Sequence, residues 1–264
     1  MNKLPMNKLP AWSKKIVIVV FWILLWQIGS MIINNRILLV SPIATLRELS
    51  VLIVSLDFWS SIWFSFARIS LGFFLAFFAG LLSGTMAYWK PIVDEFLAPP
   101  IHFMKSIPVA SFVILALIWT GSENLSVFIA FIVVYPMIHV NTLAGLRSTD
   151  PKLLEMARLF RVPVWRQAMS IYRVSLYPYL ASAMKTALGM GFKSGIAAEV
   201  IGVPEGSIGE GLYLSKIYLS TAELFAWTLV IICLSVLFEK AFLLLLRMAA
   251  GKGVVTGHED HESL

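Results

Sequence analysis

Residues 69–89 read ISLGFFLAFFAGLLSGTMAYW, 21 positions without one Asp, Glu, Lys or Arg. A helix needs about 20 mostly apolar residues to cross the hydrocarbon core of a bilayer. This stretch is long enough to span, and it is an unbroken run rather than a ten-residue alternation. That is the pattern of a membrane helix and not of a membrane barrel. Working outward, windows 16–35, 106–122 and 124–146 are also free of charge. A fifth, about 175–199, is interrupted by Lys185 and Lys193, and a sixth, about 224–246, holds the adjacent pair Glu239 and Lys240. The third is short and is approached through Pro99, Pro100 and Pro108. The expectation is an all-α membrane protein of six transmembrane helices.

The whole chain agrees with that reading. Its 264 residues are 59% hydrophobic and 14% charged, with mean hydropathy +0.83. Ordinary soluble domains are roughly 45–50% apolar and about 25% charged. A chain of this length cannot hide so much apolar surface in a water-facing globule. A soluble enzyme, a disordered chain and a collagen-like chain are excluded. The single cysteine, Cys233, rules out a disulfide framework and any multi-Cys metal site. A net charge of +6 is small for a nucleic-acid binder, so membrane lipid and not nucleic acid is the expected surrounding.

Basic residues set the orientation. With the amino terminus inside, segments 1–15, 90–105, 147–173 and 247–264 hold 14 Lys and Arg, while 36–68, 121–123 and 200–223 hold 4. Both termini are therefore expected in the cytoplasm of a multi-pass plasma-membrane (inner-membrane) protein. The expected parts are a cytoplasmic tail 1–15, one membrane domain 16–246 and a cytoplasmic tail 247–264. The first apolar stretch runs to 20 residues without a small-residue cleavage site and reads as a retained anchor. The opening MNKLPMNKLP is a five-residue tandem duplication, too short for a structural repeat.

Two connections carry information. In the outer one, Ser41 and Pro42 are a cap and first helical position, followed by Ile43, Leu46, Leu49 and Ile53 at helical spacing. This is an amphipathic helix at the outer membrane surface. The inner one, RSTDPKLLEMARLFRVPVWRQAMSIYR at 147–173, is long for a connection. Asp150 and Pro151 start a helix there, Leu153, Leu154, Ala157 and Leu159 give it a side, and Val162-Pro163 breaks it before a second helix resumes. A helix, turn and helix outside the bilayer suit docking to another protein, and the six basic residues also suit anionic headgroups.

That inner segment resembles the EAA loop of binding-protein-dependent ABC transporter permeases. The pattern there is Glu-Ala-Ala, three residues, Gly, nine residues, then Ile-x-Leu-Pro. Glu155-Met156-Ala157 fills the first slots, Arg161 stands in the glycine slot, and Ile171 follows ten residues on, with Arg173-Val174 replacing Leu-Pro. Other phrases resemble the nitrate/sulfonate/taurine importer branch: LLVSPIATLREL (38–49), SFARISLGFFLAFFAGLLSG (65–84), SIPVASFVILALIWTGSEN (106–124), YPMIHVNTLAGLRSTDPKLLEMA (135–157), AAEVIG (197–202) and the Gly-x-Gly turn at Gly209–Gly211. The resemblance covers about residues 16–246. It implies a type I importer permease, homodimeric, working with cytoplasmic ABC ATPase subunits and an extracytoplasmic solute-binding protein. It also implies that Asp150, Pro151, Glu155, Ala157, Arg161 and Ile171 form the ATPase-coupling loop. Glycine at position 161 would permit a left-handed turn that arginine makes costly. Either the turn has ordinary dihedrals here, helped by Pro163, or Arg161 contacts the ATPase.

No enzyme constellation emerges, so no catalytic residue and no metal ligand is assigned. His102, His139, His258 and His261 are scattered, and the tail GHEDHESL reads as a solvated acidic segment. There is no Gly-rich phosphate loop, so ATP and magnesium are expected on partner subunits and no cofactor on this chain. Lys185 and Lys193 sit in the fifth helix among small residues. A charge in a spanning helix costs at least ~2.5–3.5 kcal/mol on insertion scales, so they are either pathway-lining cations for an anionic solute or structural lysines that snorkel or pair. The expected function is the pathway-forming subunit of an ATP-driven importer for a small sulfonate-, taurine- or nitrate-like solute or a vitamin precursor. The alternatives are an ion-gradient-driven secondary transporter or a multi-spanning membrane enzyme.

Overall fold

A computed structural model describes residues 11–35 and 37–250. The MNKLP duplication, most of the 1–15 tail and nearly all of the 247–264 tail, with His258 and His261, lie outside the described residues. The regular structure among the described residues is helical: α1 Ala11–Ile33, α2 Pro42–Leu52, α3 Leu56–Trp89, α4 Pro91–Ser106, α5 Val109–Arg147, α6 Pro151–Leu159, α7 Val164–Gln167, a π turn Ala168–Tyr172, α8 Arg173–Gly202, α9 Ile208–Ile217 and α10 Thr221–Ala250. Four helices among these residues are long and apolar enough to cross a bilayer: Ser13–Ile33, Leu56–Trp89, Val109–Arg147 and Thr221–Leu246. The fifth window of the sequence reading is a continuous 30-residue helix, α8, whose lysines and small polar residues dilute its apolarity.

The run Val109–Arg147 holds two of the expected windows. Gly121 breaks it with φ 70° and ψ 170°, a conformation that glycine adopts without a Cβ clash. Phe112 and Phe128 have ring centroids 6.1 Å apart, whereas sixteen residues of straight helix would separate them by ~24 Å. Val113 and Ala116 pack in one cluster with Leu125 and Ile129. The run is therefore two antiparallel arms, 109–120 and 122–147, turning at Gly121. Residues 36–68 prove less loop-like than their charges imply. α3 begins at Leu56, and Arg68 lies on it, paired with Glu123 at 2.8 Å. The Gly-x-Gly at Gly209–Gly211 is not a turn but lies inside α9.

The chain divides into two compact units, 1–59 with 211–230, and 60–210 with 231–264. In the first, Trp26 Nε1 donates to the Val40 carbonyl at 2.9 Å and Thr221 Oγ1 to the Ile37 carbonyl at 3.0 Å. Trp26 packs on Phe225, and Phe58 on Trp227. α2 starts as its sequence indicates. Ser41 Oγ accepts from the Ala44 N–H at 3.2 Å, Pro42 is the first helical residue, and the apolar Ile43 and Leu46 stay exposed.

In the second unit, glycines set the helix spacing. Gly72, Gly80 and Gly84 of α3 lie against Val127, Ile138 and Thr142 of α5, so α3 and the second arm of α5 run the same way. Gly145 lies against Leu176 and Tyr179, and Gly191 against Val134, so that arm and α8 run antiparallel. Phe73 and Phe77 of α3 meet Phe242 of α10 with centroids 5.1 and 5.6 Å apart.

A Cβ on Gly80 would stand 2.8 Å from Ile138 Cβ, whereas one on Gly189 would meet nothing within 4 Å. Gly80→Val is expected to destabilise by about 1–3 kcal/mol through overpacking. Gly189→Ala should stabilise by about 0.5–1 kcal/mol through the helix interior. Thermal unfolding in one detergent would check both, the two midpoints moving in opposite directions.

Candidate functional site

The inner segment begins where the sequence places it. Asp150 has extended dihedrals, and its carboxylate accepts from the Lys152 N–H at 2.9 Å, with Pro151 as the first helical residue. Ala157 is the one side chain of α6 that is fully buried. The larger apolar side chains turn outward: Leu153 and Met156 are exposed, and Leu159 and Phe160 are 82% and 77% accessible. Val164 and Trp165 continue this exposed apolar surface past the turn. Glu155 stands exposed on α6.

The turn that ends α6 corrects one expectation. Arg161 does not have ordinary dihedrals; its φ is +51°. The Val162 N–H donates to the Ala157 carbonyl at 2.8 Å and the Arg161 N–H to the Arg158 carbonyl at 3.1 Å. These two bonds are a Schellman cap, which calls for a left-handed residue after the helix. Arginine thus occupies a glycine conformation because two otherwise orphaned carbonyls are satisfied there. Gln167 Nε2 donates to the Val162 carbonyl at 2.8 Å and braces the turn from the far side. α7, the π turn holding Ile171, and α8 then follow without interruption, so the helix after the turn is the inner extension of α8.

α8 itself has two faces. Ala183, Met184, Ala187, Leu188, Gly191, Phe192, Gly195 and Ile196 are buried. Ser182, Lys185, Thr186, Met190 and Lys193 are exposed at helical spacing. Both lysines thus lie on the uncovered face, eight residues or ~12 Å apart along the axis. Among the described residues the ion pairs are Arg68–Glu123 and Arg147–Asp94, and neither involves these lysines.

Two polar residues inside the second unit escaped the sequence reading as candidates. Glu199, near the carboxyl end of α8, is fully buried and accepts from Ser65 Oγ at 2.6 Å. His139 is buried between α3 and α5, its Nδ1 2.8 Å from Ser83 Oγ, which also accepts from the Tyr135 hydroxyl at 3.1 Å. An ionisable residue inside a charge-poor helix is itself a signal, and Tyr135 and His139 share a face at i,i+4. The partners of His139 and Glu199, 56 and 134 residues distant, carry no such mark.

Apolar helices, a capped helix–turn–helix with an outward apolar surface, and a lysine-bearing face along one long helix together are the build of a membrane transport subunit. The chain belongs to the family of binding-protein-dependent transport system inner membrane components, which it matches over residues 72–250. It is 25% identical over 228 residues to the putative aliphatic sulfonates transport permease protein SsuC of Bacillus subtilis, covering 85% of this chain and 82% of that one. It is 22% identical over 231 residues to the taurine transport system permease protein TauC of Escherichia coli, with the same two coverages, 85% and 82%. The bicarbonate transport system permease protein CmpB of Synechocystis is 25% identical over 163 residues, 61% of this chain and 57% of that protein. This chain is an ABC transporter permease of the sulfonate/nitrate/taurine branch and a multi-pass protein of the inner membrane.

A left-handed conformation costs a residue with a Cβ roughly 1–2 kcal/mol. Arg161→Gly should therefore raise stability by about 1 kcal/mol or more, seen as a higher midpoint of thermal unfolding in detergent. Arg161→Val should lower it.

Proposed function

We propose that this permease forms the translocation pathway of an ATP-driven importer for a small oxyanion. In this reading it crosses the membrane six times with both termini in the cytoplasm, and two copies build the pathway. ATPase subunits in the cytoplasm supply the energy and an extracytoplasmic binding protein delivers the solute. The observation that carries the reading is the uncovered face of α8 with Lys185 and Lys193. An unpaired ammonium facing lipid costs at least ~2.5–3.5 kcal/mol on insertion scales. Water in a pathway removes that cost, and an anion leaving bulk water needs the compensating charge. Two copies of α8 around one axis would set two cationic rings along the route. The relatives are named for sulfonates, taurine and bicarbonate, all solutes with an oxyanion group.

Coupling follows from the inner segment. The outward Leu153, Met156, Leu159 and Phe160 give an ATPase surface something apolar to grip. Ala157 faces the other way, into the permease. Because α7, the π turn and α8 are continuous, a displacement of α6 reaches the pathway helix with no flexible loop between them.

Lys193→Met should lower uptake of the anion by about tenfold, the equivalent of ~1.4 kcal/mol of lost pathway electrostatics, with the complex still assembled. Normal uptake by this variant would make the lysine structural. Glu155→Lys should leave membrane insertion intact and separate ATP hydrolysis from transport, measured in proteoliposomes with the ATPase and binding protein present. If uptake and ATPase retention are both unchanged, α6 is not the docking helix. In a Cys233→Ser background, Glu205→Cys should react with an impermeant thiol reagent added outside and Ser170→Cys should not; the reverse pattern would invert the topology.

A further inference from the structure

The buried carboxyl at the outer end of α8 has a use that the pathway and the coupling segment do not require. Glu199 Oε2 accepts from Ser65 Oγ at 2.6 Å, and the same Ser65 oxygen accepts from the Ile208 N–H at 2.9 Å. Ile208 opens α9, Ser65 lies on α3 and Glu199 on α8. One chain of hydrogen bonds therefore ties three elements together, and all three residues are buried. The Gly209 amide lies beside the carboxyl. A Cβ on Gly209 would overlap the Cβ of Glu199 and the backbone behind it, so only glycine lets α9 approach this closely.

The segment bridged by this chain is a tight turn with two residues of positive φ. Val203 ends α8 with φ +46°, Pro204 follows, and Gly206 has φ +71°. The remaining first-turn donors of α9 are handled locally. Ser207 Oγ accepts from the Glu210 N–H at 2.9 Å, and Glu210 Oε2 accepts from the Gly206 N–H at 2.6 Å. Arg68, one turn from Ser65, is held by Glu123. Glu199 thus meets a hydroxyl and the amino end of a helix. A hydroxyl that accepts an N–H and donates to a carboxyl is polarised at both ends.

We propose that Glu199 and Ser65 form a latch that holds the amino end of α9 on α8 across the 203–207 turn. Glu199 is a positioning residue: it touches neither the exposed α8 face nor the coupling segment, and acts by fixing where α9 begins. With the latch closed, the outer end of α8 and the first turn of α9 move together. With it open, the 203–207 turn is free to swing.

Hydrogen exchange of the full-length protein in lipid nanodiscs tests this, read by mass spectrometry on peptides covering residues 203–210. Ser65→Ala and Glu199→Ala should each speed exchange there at least fivefold, because opening no longer has to break the chain. The double variant should exchange no faster than the worse single one, since both remove the same chain. Glu199→Gln, which keeps an acceptor for Ser65, should exchange more slowly than Glu199→Ala. Ser70→Ala, which removes another buried α3 hydroxyl, one with no hydrogen bond, should leave the peptide at the parent rate. If Glu199→Ala does not fold, Ser65→Ala against Ser70→Ala decides. A rise of less than fivefold for Ser65→Ala, additive effects in the double variant, or an equal rise in Ser70→Ala would each overturn the latch. The measurement needs no transport, so failure of the latch leaves the permease reading standing, and failure of transport in the Lys193 variant leaves the latch standing.

Discussion

In a bilayer, apolar surface gains nothing by leaving lipid for protein, so helices must be held by close packing and by the few polar groups they share. This constraint explains where the small residues fall. Gly72, Gly80 and Gly84 bring α3 onto α5, and Gly145 and Gly191 bring α5 onto α8. Gly195 admits Ile69 at the third side of the same group, with a Cβ there only 2.7 Å from Ile69 Cγ1. The aromatic cluster of Phe73, Phe77, Phe238 and Phe242 then adds α10 without needing glycine, because rings pack edge to face across a wider gap.

Polar groups follow the same economy. His139, Ser83 and Tyr135 satisfy one another between α3 and α5. Glu199, Ser65 and the Ile208 amide do so where α3, α8 and α9 meet. Each group sits where small residues already bring backbones together, so a short side chain can reach its partner. Lys185 and Lys193 lie on the face that no helix of the protomer covers. Their side chains are long and their charge requires water, so a packed seam is the one place they cannot be.

Segment 147–173 shows a different balance. On α6 Leu153, Met156 and Leu159 are exposed, Leu154 is half-buried and only Ala157 is fully buried. Exposed Leu159 and Phe160 at the end of one short helix form an apolar surface of the kind that marks interaction sites. The strained Arg161 belongs to the same piece. The Schellman bonds fix the turn between α6 and α7, which continues through the π turn into α8.

Charge-free runs marked the apolar helices of α1, α3 and α5, because the absence of Asp, Glu, Lys and Arg over about twenty residues has few other meanings, and α10 was marked by the apolar window 224–246 that Glu239 and Lys240 interrupt. Ser41-Pro42 and Asp150-Pro151 marked the starts of α2 and α6, because a cap and a first-turn proline are local chemistry. The reversal at Gly121 was legible as the break at Glu123 between apolar windows 106–122 and 124–146. What local pattern could not reveal were conformations decided by distant partners. Glu199 is a lone carboxyl in an otherwise uncharged run, yet it is held by Ser65, 134 residues distant in the chain. Gly209 and Gly211 read as a turn, yet both lie in α9, where the missing Cβ of Gly209 lets the helix lie on α8. The sequence alone determined which segments prefer lipid and where their helices begin. Tertiary packing decided which polar groups meet, because only close approach in a medium without water makes a buried carboxyl and a serine hydroxyl find each other.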